Sequence, residues 1–325
     1  MAEARLVGKN ISLGYPNKDA PKVVLEALNF ELCSGQLTCL LGPNGVGKST
    51  LIKAMMGQLI PLEGRLELDG KRVSDFSYEN LSKQLSVVLS EPQLPSNLTV
   101  EQLVGLGRTP YLTWSGSLSQ YDKEIVQRAL STTHIEYLRK ELIGEISDGQ
   151  RQKAMIARAV AQDCPLMILD EPTAHLDLVN RYEIMRLLQQ IAHQEQKAIL
   201  VVTHDLEIAL ETADYFWLLT CGAPLLGGLP EDLVISGSIN QLYPSGTYRF
   251  DQKRGRVEFE SDTLEWSVTG EEELIFWLKK SLIKAGIKKI QSPVKVMGKP
   301  FTIDFEGESF SKLETFLQFL QLKND

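Results

Sequence analysis

The stretch "CLLGPNGVGKSTLIKAMMG", residues 39–57, decides the fold of this chain. It starts in an apolar run at 37–41 that predicts a buried strand, continues into a glycine-rich turn, and enters a helix at about Lys48. Glycines let successive backbone N–H groups converge on an anion, and the start of a helix adds partial positive charge. The pattern G-x-x-x-x-G-K-[S/T] therefore predicts a phosphate-binding loop. The alternative is a chance glycine turn before a helix.

The side chains of this loop predict a nucleoside triphosphate as the ligand. Lys48 would reach the β- and γ-phosphates, Ser49 would bind Mg²⁺, and Thr50 would contact a phosphate nearer the sugar. The nucleotide-binding residues expected here are Gly42, Pro43, Asn44, Gly45, Val46, Gly47, Lys48, Ser49 and Thr50.

The stretch "PLMILDEP", residues 165–172, supplies a second part of a phosphoryl-transfer site. Its apolar run, 166–169, is typical of a strand buried on both faces of a parallel sheet. Asp170 follows at the carboxyl end, where doubly wound sheets place their ligands, and would hold Mg²⁺, mostly through water. Glu171 would polarise the attacking water as a general base. Taken alone, the same residues fit a solvated acidic turn equally well.

A third predicted strand, "KAILVVTH" at residues 197–204, brings His204 to the same edge of the sheet. An imidazole there would contact the γ-phosphate and report its loss. A lone histidine after a strand is more often a structural hydrogen-bonding group, so its catalytic role depends on the neighbouring motifs.

The stretch "ISDGQRQKAMIARAV", residues 146–160, predicts a second helix that begins at an anion site. Ser147 and Asp148 are residue types that cap helices, and Gly149 leaves the backbone open. Four alanines that follow favour the helix. Free amides at such a start attract phosphate.

The segments "GPNGVGKST", "ISDGQRQ", "LMILDEP", "AHLD" and "VVTH", in this order and spacing, resemble the ATPase subunit of an ABC transporter. The resemblance covers about residues 1–235. It implies an α/β P-loop fold with a helical subdomain at about 90–163, and it implies ATP and Mg²⁺ as cofactors. It also implies that two ATPase subunits close head to tail, as a homodimer or a pair. Ser147, Asp148, Gly149 and Gln150 would then contact ATP held by the partner, while Lys48, Asp170 and Glu171 act within one subunit.

The resemblance carries over to two further places. Tyr15 matches the aromatic residue that stacks on adenine in this family, although it could be an ordinary strand tyrosine. Residues 174–177 match the loop that crosses the subunit interface, and the apolar spacing at 178–192 predicts an amphipathic helix after it.

The chain departs from the family pattern at two positions. The family segment is usually L-S-G-G-Q, but here Asp148 replaces the first glycine. A carboxylate close to a triphosphate is unfavourable unless it points away, for example as a cap of its own helix. The family also places a metal-contacting glutamine where this chain has Ser90, followed by Glu91 and, slightly late, Gln93. Ser90 would bind the metal weakly and Glu91 would bring a full charge, and the sequence leaves this choice open.

The stretch "LTVEQLVGLGRTPY", residues 98–111, resembles importers of iron-siderophore complexes, haem and cobalamin. Thr99 is expected to cap a short helix with Gln102 three residues on, followed by Leu103, Val104 and Leu106 in that helix. The resemblance implies a helical subdomain that receives an integral membrane permease, which in turn works with a substrate-binding protein. A generic helical subdomain with another cargo is the alternative.

Composition narrows the possible partners. A net charge of −8 argues against nucleic acid as the main partner. No run approaches the roughly 20 apolar residues of a membrane span, so we expect the chain to lie on the cytoplasmic face of the inner or plasma membrane through its permease. The chain has one phosphate loop, which argues against ABC proteins with two ATPase domains in tandem. The interval between this loop and "ISDGQ" is too short for the long coiled coil of repair-type ABC proteins. Other soluble ABC ATPases and exporter ATPases remain alternatives. The four cysteines, expected as reduced core thiols, are Cys33, Cys39, Cys164 and Cys221.

The composition changes beyond about residue 235, and we predict an ATPase domain at 1–238 and an accessory domain at 239–325. Segments 246–250, 255–260 and 264–268 alternate as half-buried strands do, and 292–305 is typical of a hairpin. Leu274, Leu278, Leu282 and Ala285 predict one helix, and Phe310, Leu313, Leu317 and Leu320 predict a last one. We expect a small, open-faced α+β sandwich that contributes dimer contacts or regulation. The alternative is that the tail completes the ATPase core.

Overall fold

The computed structural model describes residues 3–17, 21–90, 94–112, 116–243, 248–259, 266–287, 289–290 and 292–324. These residues form two compact units. The first unit comprises the described residues up to 243 together with 250–256, and the second comprises 248–249 and the described residues from 257 onward.

The structure contains both strands and helices. The strands are β1 (Ala4–Tyr15), β2 (Lys22–Cys33), β3 (Leu37–Leu41), β4 (Glu63–Leu68), β5 (Lys71–Arg72), β6 (Leu85–Val88), β7 (Leu166–Asp170), β8 (Ala198–Val202), β9 (Tyr215–Leu218), β10 (Leu226–Gly228), β11 (Tyr248–Asp251), β12 (Arg256–Phe259), β13 (Val268–Gly270), β14 (Val294–Met297), β15 (Thr302–Phe305) and β16 (Glu308–Phe310). The helices are α1 (Lys48–Met55), α2 (Tyr78–Leu81), α3 (Val100–Gly105), α4 (Gln120–Thr132), α5 (Asp148–Ala161), α6 (Leu178–Glu195), α7 (Leu206–Thr212), α8 (Pro230–Ile235), α9 (Glu272–Lys284) and α10 (Leu313–Asn324).

The central sheet of the first unit has six strands in the order β10-β9-β3-β8-β7-β6. Five of them run parallel, and β10 pairs antiparallel with β9. All five residues of β3 and of β8 are buried, as expected for central strands covered on both faces. The strands predicted at 37–41 and 166–169 are confirmed, and β7 continues one residue further to include Asp170. The carboxyl ends of β3, β7 and β8 therefore meet at one edge.

A second, antiparallel sheet with the order β2-β1-β4-β5 shares its core with the central sheet. Leu6, Ile11 and Leu13 on β1 are fully buried in that core. Phe30 on β2 lies against Trp217 on β9, with ring centroids 4.8 Å apart. Tyr15, at the end of β1, lies near the first turn of α1, with its hydroxyl 3.4 Å from Thr50 Oγ1.

The helical subdomain consists mainly of α3, α4 and α5, which pack against one another. The predicted capping box of Thr99 and Gln102 is confirmed at the start of α3. Leu103 and Val104 are fully buried, but Leu106 lies in the following 3-10 turn and is half exposed, because α3 ends at Gly105. Arg108 in that turn forms a buried ion pair with Asp122 at 2.9 Å, which ties the turn to α4.

The second unit is built on a sheet with the order β13-β14-β15-β16. Strands β14 and β15 form the predicted antiparallel hairpin, and α9 and α10 pack on the sheet through one apolar core. The α+β sandwich is therefore confirmed. Phe310 was expected in the last helix but lies in β16, where its ring contacts Phe316 at 5.3 Å between centroids. An apolar residue three positions before a helix fits the core from a strand as well as from the helix. Leu264 and Glu265 of the expected third strand lie outside the described residues.

The four cysteines are free thiols, but only two lie in the core. Cys39 and Cys164 are buried, and burial raises the pKa of the Cys164 thiol to about 12. The expectation of a core position is wrong for Cys221, which is exposed in the turn after β9, and Cys33 is only partly buried. Within the described part of the chain, no helix combines the length and the apolar character needed to cross a bilayer.

Candidate nucleotide-binding and hydrolysis site

The phosphate loop joins β3 to α1 through a backbone that only glycine fits well. Gly45 and Gly47 have φ angles of 80° and 115°, in the left-handed region that favours glycine. A Cβ atom on Gly47 would lie 2.8 Å from Leu25 Cδ2, and one on Gly42 would lie 2.3 Å from the Leu219 carbonyl oxygen. No side chain among the described residues caps the start of α1, so its first amides remain available to an anion. The loop fits a chain of phosphates.

Lys48 folds back into its own loop. Its Nζ donates to the Gly42 carbonyl at 2.6 Å and to the Pro43 carbonyl at 3.2 Å. Burial lowers the pKa of Lys48, while the nearby charges of Glu171 and Asp170 raise it. The ammonium group is thus held between the loop and the two carboxylates, within the region where phosphate oxygens would replace the carbonyl acceptors.

Tyr15 lies beside the phosphate loop. Its hydroxyl is 3.4 Å from Thr50 Oγ1, and this hydrogen bond is the main cause that lowers the pKa of Tyr15. The Lys53 ammonium lies 5.8 Å from the centroid of the Tyr15 ring. Tyr15 is 37% exposed, so part of the residue is accessible to a planar ligand.

The two acidic residues after β7 have different environments. Burial raises the pKa of Asp170, the charge of Glu171 raises it further, and Lys48 opposes both. The Glu171 amide donates to the Val202 carbonyl at 2.9 Å, which fixes the residue to the end of β8. Glu171 adopts a left-handed φ of 50°, an uncommon conformation for a residue with a side chain.

His204 contacts Glu171 directly. The His204 Nδ1 atom lies 2.9 Å from Glu171 Oε2, and the imidazole is 63% exposed. The sequence predicted both residues at this edge but did not predict that they would pair. This hydrogen bond orients the carboxylate that was expected to act as general base.

Ser90 lies two residues beyond the end of β6, which neighbours β7. Its side chain is exposed at the same edge of the sheet as Asp170. Glu91 and Gln93, the alternatives for the metal-contacting position, lie outside the described residues.

The start of α5 forms a complete capping box. Ser147 Oγ accepts from the Gln150 amide at 3.3 Å, and Gln150 Oε1 accepts from the Ser147 amide at 3.0 Å. The suggestion that Asp148 caps this helix is wrong, because Ser147 occupies the cap and Asp148 is the first helical residue. The Asp148 carboxylate lies 3.0 Å from the Arg151 guanidinium and is 66% exposed.

The structure adds three polar residues that sequence reasoning missed. Thr173 Oγ1 donates to Asp205 Oδ2 at 3.2 Å, and Arg181 donates to the same carboxylate at 3.2 Å. Asp205 directly follows His204, and this adjacency was the one feature of the sequence that could have indicated a role for Asp205 near the site. The three side chains connect the segment after Glu171 with the segment after His204.

The family model for ABC transporters matches residues 25–174. An uncharacterized ABC transporter ATP-binding protein of Methanocaldococcus jannaschii is 37% identical over 79% of this chain and 87% of its own length. The petrobactin import ATP-binding protein of Bacillus anthracis is 35% identical over 72% of this chain and 85% of its own. The iron(3+)-hydroxamate import ATP-binding protein of Bacillus subtilis is 34% identical over 72% and 86%.

Solved structures agree with this relationship. A metal-chelate type ABC transporter in an inward-facing conformation matches with a TM-score of 0.64 and 26% identity, over 74% of this chain and 90% of that chain. A bacterial ABC transporter cassette, solved as a dimer, matches with a TM-score of 0.59 and 25% identity, over 69% of this chain and 98% of that one. The chain therefore belongs to the ATP-binding proteins of ABC transporters and is an ATPase of that family.

Proposed function

We propose that this chain powers import of an iron chelate of the siderophore class by hydrolysing ATP at the edge formed by β3, β7 and β8. The observation that carries the proposal is the Glu171–His204 hydrogen bond of 2.9 Å at the same edge as the phosphate loop. The cargo class is supported by the relatives, two of which are import proteins for petrobactin and for iron(3+)-hydroxamate.

Binding of ATP rests on the loop and on Tyr15. Lys48 would exchange its bonds to the Gly42 and Pro43 carbonyls for phosphate oxygens, which are stronger acceptors because they are charged. Thr50 would bind a phosphate nearer the sugar, and the ring of Tyr15 would stack on adenine. The ligand would therefore extend from the start of α1 to the end of β1.

Hydrolysis rests on Glu171 and its neighbours. Glu171 would accept a proton from the water that attacks the γ-phosphorus, and His204 would hold the carboxylate in place for that transfer. Ser49 and Asp170, with a weak contact from Ser90, would hold Mg²⁺, which would supply positive charge to neutralise the phosphate oxygens. Lys48 stabilises the charge that develops on the leaving phosphate.

We further propose that two ATPase subunits, as a homodimer or a pair, share each nucleotide. The segment from Ser147 to Gln150 would then contact ATP bound by the partner. The capping box holds this segment as the start of a helix, a geometry that attracts anions. Asp148 turned toward Arg151 would keep its carboxylate engaged within its own chain.

An integral membrane permease would receive the helical subdomain and hold the chain at the cytoplasmic face of the membrane. A substrate-binding protein would act indirectly, by delivering the chelate to that permease. Nucleic acid has no part in this proposal, in keeping with the net charge of −8.

Uptake of radiolabelled ferric hydroxamate by cells that depend on this chain tests the proposal. Co-expression with a permease should give a complex that co-purifies, with ATPase activity stimulated by loaded binding protein. Lys48→Ala should abolish uptake because it removes a charged phosphate contact. Uptake that is unaffected by Lys48→Ala, or failure of the chain to co-purify with a permease, would contradict the proposal. If only binding protein loaded with haem or cobalamin stimulated the ATPase activity, the cargo would belong to one of those classes and not to the siderophores.

A further inference from the structure

The carboxylate of Asp205 joins the two loops that carry Glu171 and His204. It accepts hydrogen bonds from Thr173, on the loop after Glu171, and from Arg181, in the first turn of α6. We infer that Asp205 is a positioning residue of the hydrolysis site, which holds Glu171 and His204 within hydrogen-bond distance. This inference rests on the proposed function, because it concerns the same reaction.

The position of Asp205 is fixed on the His204 side. Its amide donates to Thr203 Oγ1 at 3.1 Å, and Thr203 is only 1% exposed at the end of β8. The Leu206 amide donates to the His204 carbonyl at 3.0 Å, which turns the chain into α7. The backbone of His204 therefore lies between two anchored neighbours.

The same carboxylate is fixed on the Glu171 side. The Thr173 side chain is 1% exposed and donates to Asp205 Oδ2 at 3.2 Å. Arg181 reaches both carboxylate oxygens, at 3.2 and 3.3 Å, and its Nε donates to the Leu176 carbonyl at 2.8 Å. Asp205 thus holds the segment 173–176 at its beginning directly and at its end through Arg181.

The held segment needs external support because of its backbone. Glu171 and His175 have left-handed φ angles of 50° and 64°, which non-glycine residues adopt only when the surroundings enforce them. The local backbone hydrogen bonds here are long: the Ala174 amide donates to the Glu171 carbonyl at 3.1 Å, and the Leu176 amide donates to the Thr173 carbonyl at 3.3 Å. Without Asp205, the segment would be free to relax and to move the Glu171 carboxylate away from His204.

This position predicts a specific kinetic signature. The contacts of Asp205 are with the segments behind Glu171 and His204, whereas Lys48 donates its hydrogen bonds to the phosphate loop and Tyr15 bonds to Thr50 in α1. Loss of Asp205 should therefore lower kcat while ATP affinity is retained. An ion pair that contributes only to stability would leave kcat at its normal value in the folded protein.

The whole chain and five variants test this inference. Asp205→Asn and Arg181→Met should each lower kcat about tenfold or more, since a displacement near 1 Å can reduce rates a hundredfold. The Kd of a fluorescent ATP analogue should change by less than about twofold. The double variant should lose no more than the worse single variant, because the two side chains act as one unit. Thr173→Val should lower kcat, whereas Thr173→Ser keeps the hydroxyl and should restore it.

The ion pair of Arg5 and Asp69 supplies a matched control. It joins the same residue types at 3.1 Å on the antiparallel sheet, with partly exposed side chains. Arg5→Met and Asp69→Asn should leave kcat unchanged, within about twofold.

Several outcomes would overturn the inference. They are a kcat of Asp205→Asn equal to that of Asp69→Asn, additive losses in the double variant, or a parallel loss of ATP affinity. If Asp205→Asn does not fold, the comparison of Thr173→Val with Thr173→Ser decides, and equal kcat values would reject the inference. Glu171→Gln is measured alongside to separate this failure from failure of the proposed function. Normal turnover in Glu171→Gln would refute the assignment of Glu171 as the general base, and with it the proposed function.

Discussion

Replacing Glu171 with glutamine separates the proton-accepting role of this side chain from its shape. Glutamine has the same length and keeps an amide group that can bond to His204 Nδ1 across the observed 2.9 Å. The backbone bond from residue 171 to Val202 is unaffected, because it involves only main-chain atoms. The substitution therefore removes the base and little else.

The expected loss of turnover follows from that single change. A positioned general base contributes about 10²- to 10⁴-fold to a rate. At about 1.4 kcal/mol for each factor of ten, this corresponds to roughly 3–5 kcal/mol of transition-state stabilisation. We expect Glu171→Gln to lower kcat by that factor and to leave ATP affinity within about twofold.

Phosphate release at saturating ATP and Mg²⁺ measures turnover, and titration with a fluorescent nucleotide measures affinity. Size-exclusion chromatography with ATP should also show a trapped, nucleotide-bound dimer. Glu211→Gln, an exposed substitution on α7, is the matched control and should behave as the unsubstituted protein does. Normal turnover by Glu171→Gln would refute the assignment of the base, and loss of ATP affinity would show that the side chain acts in binding.

Three further predictions concern charge and domain structure. Burial raises the pKa of Asp170, so the folded state binds the Asp170 proton more tightly than the unfolded chain does. The free energy of unfolding therefore falls as pH rises from the unfolded pKa of Asp170 through its folded pKa. Asp170→Asn should therefore have a higher Tm at pH 7 and no Mg²⁺-dependent turnover, and an unchanged or lower Tm would contradict this. Asp148→Gly removes the exposed pair with Arg151 and should lower the free energy of unfolding by about 1 kcal/mol, measured by urea denaturation. A loss of ATP-driven dimerisation in this variant would be contrary to the proposed shared site. A fragment ending at Arg256 should remain soluble and bind ATP. A fragment ending before the buried Phe250 should lose about 2 kcal/mol in its free energy of unfolding. Aggregation of both fragments would show that the tail completes the core.

The sequence predicted those features that depend on neighbouring residues. Strand β3 was placed at residues 37–41 because a short apolar run between polar segments is typical of a central parallel strand. The capping box of Thr99 and Gln102 was predicted because its hydrogen bonds span only three residues. The phosphate loop follows the same logic, since its glycines and Lys48 lie within one turn.

Features that depend on distant residues could not be predicted in this way. Thr173 and Asp205 are 32 residues apart, and Arg181 and Asp205 are 24 apart. They meet only because β7 and β8 pair with Asp170 opposite Val202, and neither strand's pattern specifies that register. The predicted cap role of Asp148 failed for a related reason, because Ser147 and Asp148 are both capping types and only the backbone decides which one occupies the cap.

Helix α6 connects the two halves of the proposed shared site within one chain. A Cβ atom on Gly149 would lie 2.8 Å from Asn180 Oδ1, so the start of α5 packs closely on the first turn of α6. Lys153 on α5 also pairs with Glu183 on α6 at 2.7 Å. The same first turn carries Arg181, which bonds to Asp205 behind the proposed general base. The start of α5 and the segment behind Glu171 therefore both contact the first turn of α6, and a larger residue at position 149 would require the Asn180 side chain to move.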